Sequence, residues 1–147
     1  MSLTVPNSKY DRRIIVDEKV VYIVFDIDDG TLQVRNLNLP FIPDEVEIMT
    51  FGVSNNNTNF QTKYPAITCD FIEYNQVLAV YNLRFPNSQV VPKPKQRFLV
   101  DFQKDKYGRK AEFNLQYLSK DGLEPSTMNG GIYYISLYFV RYKRKNK

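Results

Sequence analysis

Apolar and polar residues alternate in short runs along most of this chain, a period of two that is typical of β-strands with one buried face. Residues 112–119 place Phe113, Leu115 and Tyr117 on one face and polar side chains on the other. Residues 97–103 alternate in the same way. No long segment shows the period of 3.6 residues that marks an amphipathic helix. The pattern therefore predicts a protein built from β-strands.

About eight such runs are separated by turn and loop residues. Strands of this kind form antiparallel sheets with one face in solvent, and two such sheets bury their apolar faces by stacking. We therefore predict an all-β antiparallel β-sandwich of the jelly-roll type, a single domain over residues 1–140. In the third predicted strand, Val46 and Ile48 fall on one face and Phe51 on the other. The predicted strands are residues 20–28, 31–39, 45–54, 66–72, 77–85, 97–103, 112–119 and 132–142.

The first predicted strand, residues 20–28, is nearly all apolar, which is typical of a central strand. It runs into Asp29-Gly30, and Asp-Gly between two apolar runs is a strong signal for a β-hairpin turn. We therefore predict that residues 20–28 pair with residues 31–39. A plain jelly roll places its first two strands in different sheets. The first strand is then an extra one, or the chain crosses between the sheets at this turn.

The same segment also resembles the start of a haloacid dehalogenase-like phosphatase, in which the first Asp of Asp-x-Asp attacks phosphorus and the second is the acid/base. Asp26 and Asp28 have that spacing, but Asp29 is inserted before the Gly-Thr of the pattern. The helices that this family packs around its parallel sheet have no counterpart in the sequence. The three carboxylates also lack the frame of a calcium-binding loop. We expect a turn here, with no catalytic residues, no metal and no cofactor; the phosphatase stays an alternative.

The amino-acid composition argues against several kinds of active site. The chain has no His, which removes the commonest general base and the Ser-His and Cys-His nucleophile pairs. Its one cysteine, Cys69, lies in an apolar run and is predicted to be a small buried hydrophobic residue. No apolar run approaches the length of a membrane span, and no signal peptide is visible. We therefore expect a non-secreted protein without a membrane span, and not an enzyme.

The net charge of +4 is concentrated at the C-terminus. Without the basic residues of segment 141–147, 15 basic residues remain against 16 acidic ones. We predict a basic tail, and the sequence leaves open whether it contacts nucleic-acid phosphates, docks on an acidic protein or stays free in solvent. The basic residues of this segment are Arg141, Lys143, Arg144, Lys145 and Lys147.

The last predicted strand separates two kinds of residue. Ile135, Leu137 and Phe139 share one face, which is predicted to join the core. Tyrosine on the opposite face suits a protein interface, because its ring supplies contact area and its hydroxyl a hydrogen bond. Ordinary packing between neighbouring strands explains the same pattern. The interface candidates are Tyr134, Tyr138 and Tyr142.

Three segments carry a wider resemblance: VRNLNLPFIPDEVEI (34–48), ITCDFIEYNQVLAVYNL (67–83) and MNGGIYYISLYFVRYK (128–143). They resemble single jelly-roll minor capsid and penton-type proteins of eukaryotic double-stranded DNA viruses and virophages. The resemblance implies a structural virion protein, made in the host cytoplasm, that acts as a minor capsid, penton or cementing subunit. It implies other capsid proteins as partners, in a homo-oligomer or a hetero-assembly. A binding module for nucleic acid or glycan is the alternative.

Overall fold

The structure, a computed structural model, describes residues 10–26, 32–54, 64–72, 77–80, 89–90, 97–101, 110–119, 122–124 and 132–144. All the regular elements within these ranges are strands, as the alternation predicted. The ten strands are β1 (Tyr10–Asp26), β2 (Leu32–Asn36), β3 (Glu45–Ser54), β4 (Tyr64–Cys69), β5 (Val77–Val80), β6 (Gln89–Val90), β7 (Arg97–Leu99), β8 (Lys110–Ser119), β9 (Gly122–Glu124) and β10 (Ile132–Arg144).

The strands form two antiparallel sheets. Sheet A has the order β1-β10-β3-β6, and β7 also pairs with β3. Sheet B has the order β2-β8-β4-β5, and β9 also pairs with β8. The two sheets pack face to face around one apolar core, so the prediction of an antiparallel β-sandwich is confirmed.

Aromatic side chains from both sheets meet at the centre of this core. The ring of Phe113 on β8 lies 5.1 Å from that of Phe25 on β1 and 5.7 Å from that of Phe71. Phe71 also contacts Phe139 on β10, at 5.8 Å between ring centroids. All four side chains are almost fully buried. Burial of each such side chain contributes roughly 1.5–3 kcal/mol, so these contacts hold the two sheets together.

A bulge changes the predicted face of one residue in β3. Val46, Ile48 and Phe51 all lie in the core, although strict alternation put Phe51 on the opposite face. The register between β3 and β10 shifts here, because Leu137 pairs with Ile48 and Ser136 pairs with Thr50. One extra residue in a strand reverses the alternation beyond it, which is why the prediction for Phe51 was wrong.

The predicted hairpin between the first two strands is also wrong. β1 belongs to sheet A and β2 to sheet B, so the chain crosses between the sheets; the turn residues Asp29-Gly30 lie outside the described residues. Side chains of β2 reach across instead: Gln33 Nε2 donates to the Asp26 carbonyl at 2.7 Å and Arg35 Nη2 to the Val24 carbonyl at 3.1 Å. In the strand order of sheet A, β1 is the terminal strand, so it lies at the edge of the sheet and not at its centre. An Asp-Gly signal marks a turn, but packing decides whether the flanking strands pair.

The β2–β3 connection, residues 37–44, carries the chain back to sheet A. Leu37 and Leu39 are buried in the core on either side of Asn38. Asn38 has a φ of 52°, a left-handed conformation that asparagine tolerates better than most residues. Its N–H donates to Asn36 Oδ1 at 3.0 Å, and its carbonyl accepts from Lys19 Nζ at 2.7 Å. These bonds fix the bend that places both leucines inward.

Asp44 ends this connection and bonds both to β10 and to Val100, the residue that follows β7. Its N–H donates to the Val140 carbonyl at 2.8 Å, and its own carbonyl accepts from the Val100 N–H at 3.0 Å. Its carboxylate accepts from the Tyr142 N–H at 2.9 Å and pairs with Arg144 at 3.3 Å. Asp44 is 6% exposed, so these are interior bonds that fix the start of β3 against β10.

Candidate interface on the outer face of sheet A

The outer face of sheet A is the face turned away from sheet B. Successive side chains of a strand point to opposite faces, so the core positions of β10 identify the outer ones. Ile135, Leu137 and Phe139 are buried in the core, as predicted. The three candidate tyrosines therefore belong to the outer face, but the structure gives each a different environment. They are Tyr134, Tyr138 and Tyr142.

Tyr142 is enclosed by a polar network. It is 2% exposed, its hydroxyl donates to Glu45 Oε1 at 2.8 Å, and the same hydroxyl accepts from Arg97 Nη1. Arg97 Nε also donates to Glu47 Oε1 at 3.1 Å. Burial, and next the bond to Glu45, raise the pKa of Tyr142. Tyr142 thus offers a partner almost no surface and serves the packing of β10 against β3.

Tyr138 lies beside this network and is partly exposed. Its hydroxyl donates to Glu18 Oε2 on β1 at 2.6 Å. The Arg97 guanidinium lies 6.0 Å from the ring centroid, at the outer limit of a cation–π contact. The bond to Glu18 is the main cause that raises the pKa of Tyr138 to about 12. The tyrosine therefore stays neutral at ordinary pH and ties β1 to β10.

Tyr134 lies over a glycine of the neighbouring strand β3. It pairs with Gly52 across the β10–β3 ladder, and a Cβ built on Gly52 would overlap the Tyr134 ring. The aromatic ring thus covers a glycine, an arrangement that stabilises a neighbouring strand position without a side chain. On its other side Tyr134 pairs with Val24 of β1. Its ring remains partly exposed, so it is available as part of a larger apolar surface.

The basic residues predicted as a tail divide into two groups. Arg141, Lys143 and Arg144 belong to β10, which pairs with β1 as far as Tyr10↔Arg144. The sheet therefore extends beyond the predicted domain boundary at residue 140. Arg141 Nε donates to Asp17 Oδ2 at 2.6 Å, so two of these side chains form ion pairs within the sheet. Lys145 and Lys147 lie outside the described residues.

Four of the five most exposed apolar side chains among the described residues lie on the edge strands, where the sequence did not predict them. Tyr22 is 79% exposed and Val24 57%, both on the outer face of β1. Leu32 is 58% exposed and Val34 52%, both on β2 at the edge of sheet B. A nearly continuous apolar run is typical of a strand buried on both faces. The pattern of β1 therefore did not predict that Tyr22 and Val24 are exposed. Tyr22 and Val24 lie on the outer face of sheet A, whereas Leu32 and Val34 lie on the outer face of sheet B, because Gln33 between them is buried. We call these two pairs the two parts of the edge patch.

The described residues contain no group of three or more Cys, Asp or Glu side chains arranged to hold a metal ion. Cys69 is buried, and burial raises the pKa of its thiol to about 12, which keeps it protonated. Asp26 ends a strand that pairs antiparallel with β10, whereas the phosphatase hypothesis requires a parallel strand; Asp28 lies outside the described residues. No helix in the described part of the chain has the length and apolar character needed to cross a membrane.

Comparison with known proteins adds no relative to this picture. No family model matches the chain, and no curated protein or solved structure matches it.

Proposed function

We propose that this chain is a structural protein of a virion, a minor capsid, penton or cementing subunit, that acts through protein–protein contacts. The edge patch carries the proposal. Its side chains, Tyr22 and Val24 on β1 and Leu32 and Val34 on β2, are each more than half exposed. Within each strand the two exposed apolar side chains are neighbours on one face, and such exposed apolar surface marks sites of protein interaction.

The strand order supports a jelly roll. A jelly roll is an antiparallel ribbon of eight strands in which the first pairs with the last, the second with the seventh, and so on inward, rolled into two sheets. If β6 and β7 fill one position and β9 is an addition beside β8, those pairs are β1·β10, β2·β8, β3·β6/β7 and β4·β5. Each pair is present. The contacts that complete the rolled sheets, β10·β3 and β8·β4, are present as well.

The segment with the most specific resemblance to capsid proteins also has a structural role in this chain. Residues 40–46, Pro-Phe-Ile-Pro-Asp-Glu-Val, include Asp44, whose backbone and carboxylate bond to β10 and to Val100. Glu45 accepts a hydrogen bond from the hydroxyl of Tyr142, which lies on the neighbouring strand β10. The motif thus fixes the corner between the sheets, which agrees with a rigid building block.

The nucleic-acid alternative rests on the basic residues at the C-terminus. Arg141 and Arg144 are engaged with Asp17 and Asp44, so they are less able to neutralise phosphates. A protein that binds through Lys145 and Lys147 would lose salt-dependent binding when residues 145–147 are removed. Filter binding to a nucleic acid at several salt concentrations measures this directly.

Assembly tests the proposed function. The chain should enter particles seen by electron microscopy when co-expressed with their other capsid proteins, and the purified chain should form species heavier than its 17.3 kDa in light scattering. The double change Leu32→Ser with Val34→Ser should reduce this assembly, because it removes apolar area from the edge patch. Ile42→Ser is the matched control: Ile42 is 56% exposed but lies in the β2–β3 connection. A wild-type chain that is absent from particles refutes the proposal, whatever its mass in solution.

A further inference from the structure

We call residues 11–19 of β1 the palindromic segment. Each charged residue on one side of its centre has an oppositely charged residue at the same distance on the other side. The sequence is DRRIIVDEK, with three charged residues on each side of three apolar ones. The apolar centre is exposed: Ile14 by 41%, Ile15 by 37% and Val16 by 43%. Three consecutive exposed apolar residues are unusual on a soluble protein unless they serve a contact.

An antiparallel pairing of this segment with a second copy places opposite charges together at all three charged positions. With Ile15 opposite Ile15, the pairs are Asp11 with Lys19, Arg12 with Glu18, and Arg13 with Asp17. Opposite charges facing each other across strands stabilise a pairing, and like charges destabilise it.

Neighbouring registers lose this match. A shift of one residue in one direction puts Asp11 opposite Glu18, and a shift in the other direction puts Arg12 opposite Lys19. A parallel in-register pairing sets every charge against itself. The sequence therefore specifies one register among those available to this segment.

We infer that two copies of the chain associate through antiparallel pairing of their palindromic segments, about a two-fold axis at Ile15. β1 is the terminal strand of sheet A, so sheet A of one copy would continue into sheet A of the other. Such an interface is isologous, since each copy contributes the same residues. The inference names a second copy of the chain as one partner in the proposed structural role, and in that respect it rests on the proposed function.

The structure favours strand addition at this part of β1 over its other end. Near the other end of the strand, Gln33 and Arg35 of β2 donate to the Asp26 and Val24 carbonyls. A second strand at that end would meet these two side chains beside the carbonyls. The palindromic segment lies at the opposite end of β1 from these bonds, and its three apolar residues are exposed.

The pairing of β1 with β10 is irregular in the same place. Three residues of β1 lie between Asp11 and Ile15, whose partners on β10 are adjacent, and one lies between Ile15 and Asp17, whose partners are also adjacent. Such bulges ordinarily discourage strand addition, so the proposed register requires this part of β1 to straighten when the copies pair. The charge pattern and the exposed apolar centre carry the inference. Asp17 and Glu18 accept bonds from Arg141 and Tyr138, but a carboxylate accepts several donors at once.

Cross-linking at the axis tests the inference. In Ile15→Cys the two introduced thiols would face each other, with Cβ atoms about 4.5–5.5 Å apart, close to the separation that a disulfide spans. Under mild oxidation this variant should become a disulfide-linked dimer. Tyr22→Cys is the matched control, because Tyr22 is the more exposed residue of the same strand and lies off the axis. The native Cys69 is buried and should contribute little background in either variant.

Charge reversal provides an independent readout that does not alter the apolar centre. Arg12→Glu with Arg13→Glu puts like charges opposite each other and should abolish the dimer in light scattering at low salt. Asp17→Arg with Glu18→Arg should do the same, and a mixture of the two variants should restore a heterodimer. Thermal unfolding of each variant shows whether the loss of the Asp17 and Glu18 bonds to β10 has unfolded the chain.

The inference is overturned if Ile15→Cys links no more than Tyr22→Cys, or if Arg12→Glu with Arg13→Glu remains dimeric. These results leave the proposed function standing when the wild-type chain still enters particles. Conversely, a chain that dimerises through Ile15→Cys but never enters particles supports this inference and refutes the structural role in a virion.

Discussion

Replacing Asp44 with alanine should destabilise the fold more than any change of similar size on its surface. Asp44 is 6% exposed and receives the Tyr142 N–H at 2.9 Å. Its second carboxylate oxygen pairs with Arg144 at 3.3 Å. Asp44→Ala removes both interactions and leaves the Tyr142 N–H without the acceptor that the carboxylate provides. Asp44→Asn keeps an oxygen in place and removes only the charge.

The magnitude follows from these two bonds. A buried donor that loses its acceptor costs about 1–3 kcal/mol. The ion pair is worth about 0–1 kcal/mol, because the Arg144 side chain is 49% exposed and its charge is screened by solvent. Asp44→Ala should therefore reduce the free energy of unfolding by about 1–4 kcal/mol, and Asp44→Asn by at most about 1 kcal/mol. Small domains have only about 5–15 kcal/mol in total, so the first loss is large.

Equilibrium unfolding in urea measures the difference. The chain has no Trp, so far-ultraviolet circular dichroism and tyrosine fluorescence are the suitable probes, and their transitions should coincide. The two variants should shift the midpoint and leave the urea dependence of the free energy unchanged. If Asp44→Asn destabilises as much as Asp44→Ala, charge and not the acceptor holds Tyr142 in place. If both variants match the wild type, the reasoning about this corner is wrong.

Three further predictions concern single side chains. Gly52→Ala should destabilise by about 1–3 kcal/mol, since its Cβ would overlap the Tyr134 ring, and Tyr134→Ala should recover part of that loss in a double variant measured by urea unfolding. The Glu18 bond raises the pKa of Tyr138 from 10.0 to about 12, so the bond stabilises the fold fully below pH 10 and is lost as the pH rises from 10 to about 12. Over that range Tyr138→Phe should lose less thermal stability than the wild type; equal losses contradict this. Cys69, whose pKa burial raises to about 12, should react with a thiol reagent at pH 8 only after unfolding in urea, and rapid labelling of the native chain refutes its burial.

Much of the fold could be predicted from alternation alone, because a half-buried strand repeats its pattern every two residues. Residues 113 and 115 of β8 are buried as predicted, and so are Ile135, Leu137 and Phe139 of β10. The prediction of two antiparallel sheets followed from these strands. Phe51 was assigned to the wrong face because a bulge adds one residue without any change in composition.

The position of β1 could not be predicted in the same way. Its apolar residues are typical of a central strand, yet Tyr22 and Val24 point into solvent at the edge of sheet A. A sequence pattern records which side chains are apolar, and it does not record which surface covers them. The same limit applies to Asp44, because its role depends on Val100 and Tyr142, which are distant in the chain and meet it only in the folded protein.

The candidate tyrosines show how burial decides between two interpretations that the sequence left open. At one end of the outer face, Tyr142 and Tyr138 bond to Glu45 and Glu18, so their hydroxyls serve contacts between neighbouring strands. At the other end, the partly exposed Tyr134 covers Gly52 of β3 and pairs with the exposed Val24 of β1. An interface that used the first end would have to desolvate or break an ionic network, whereas one that used the second would cover apolar surface. Contacts between subunits should therefore form at the β1 side of the face, next to the strand whose other end carries the palindromic segment.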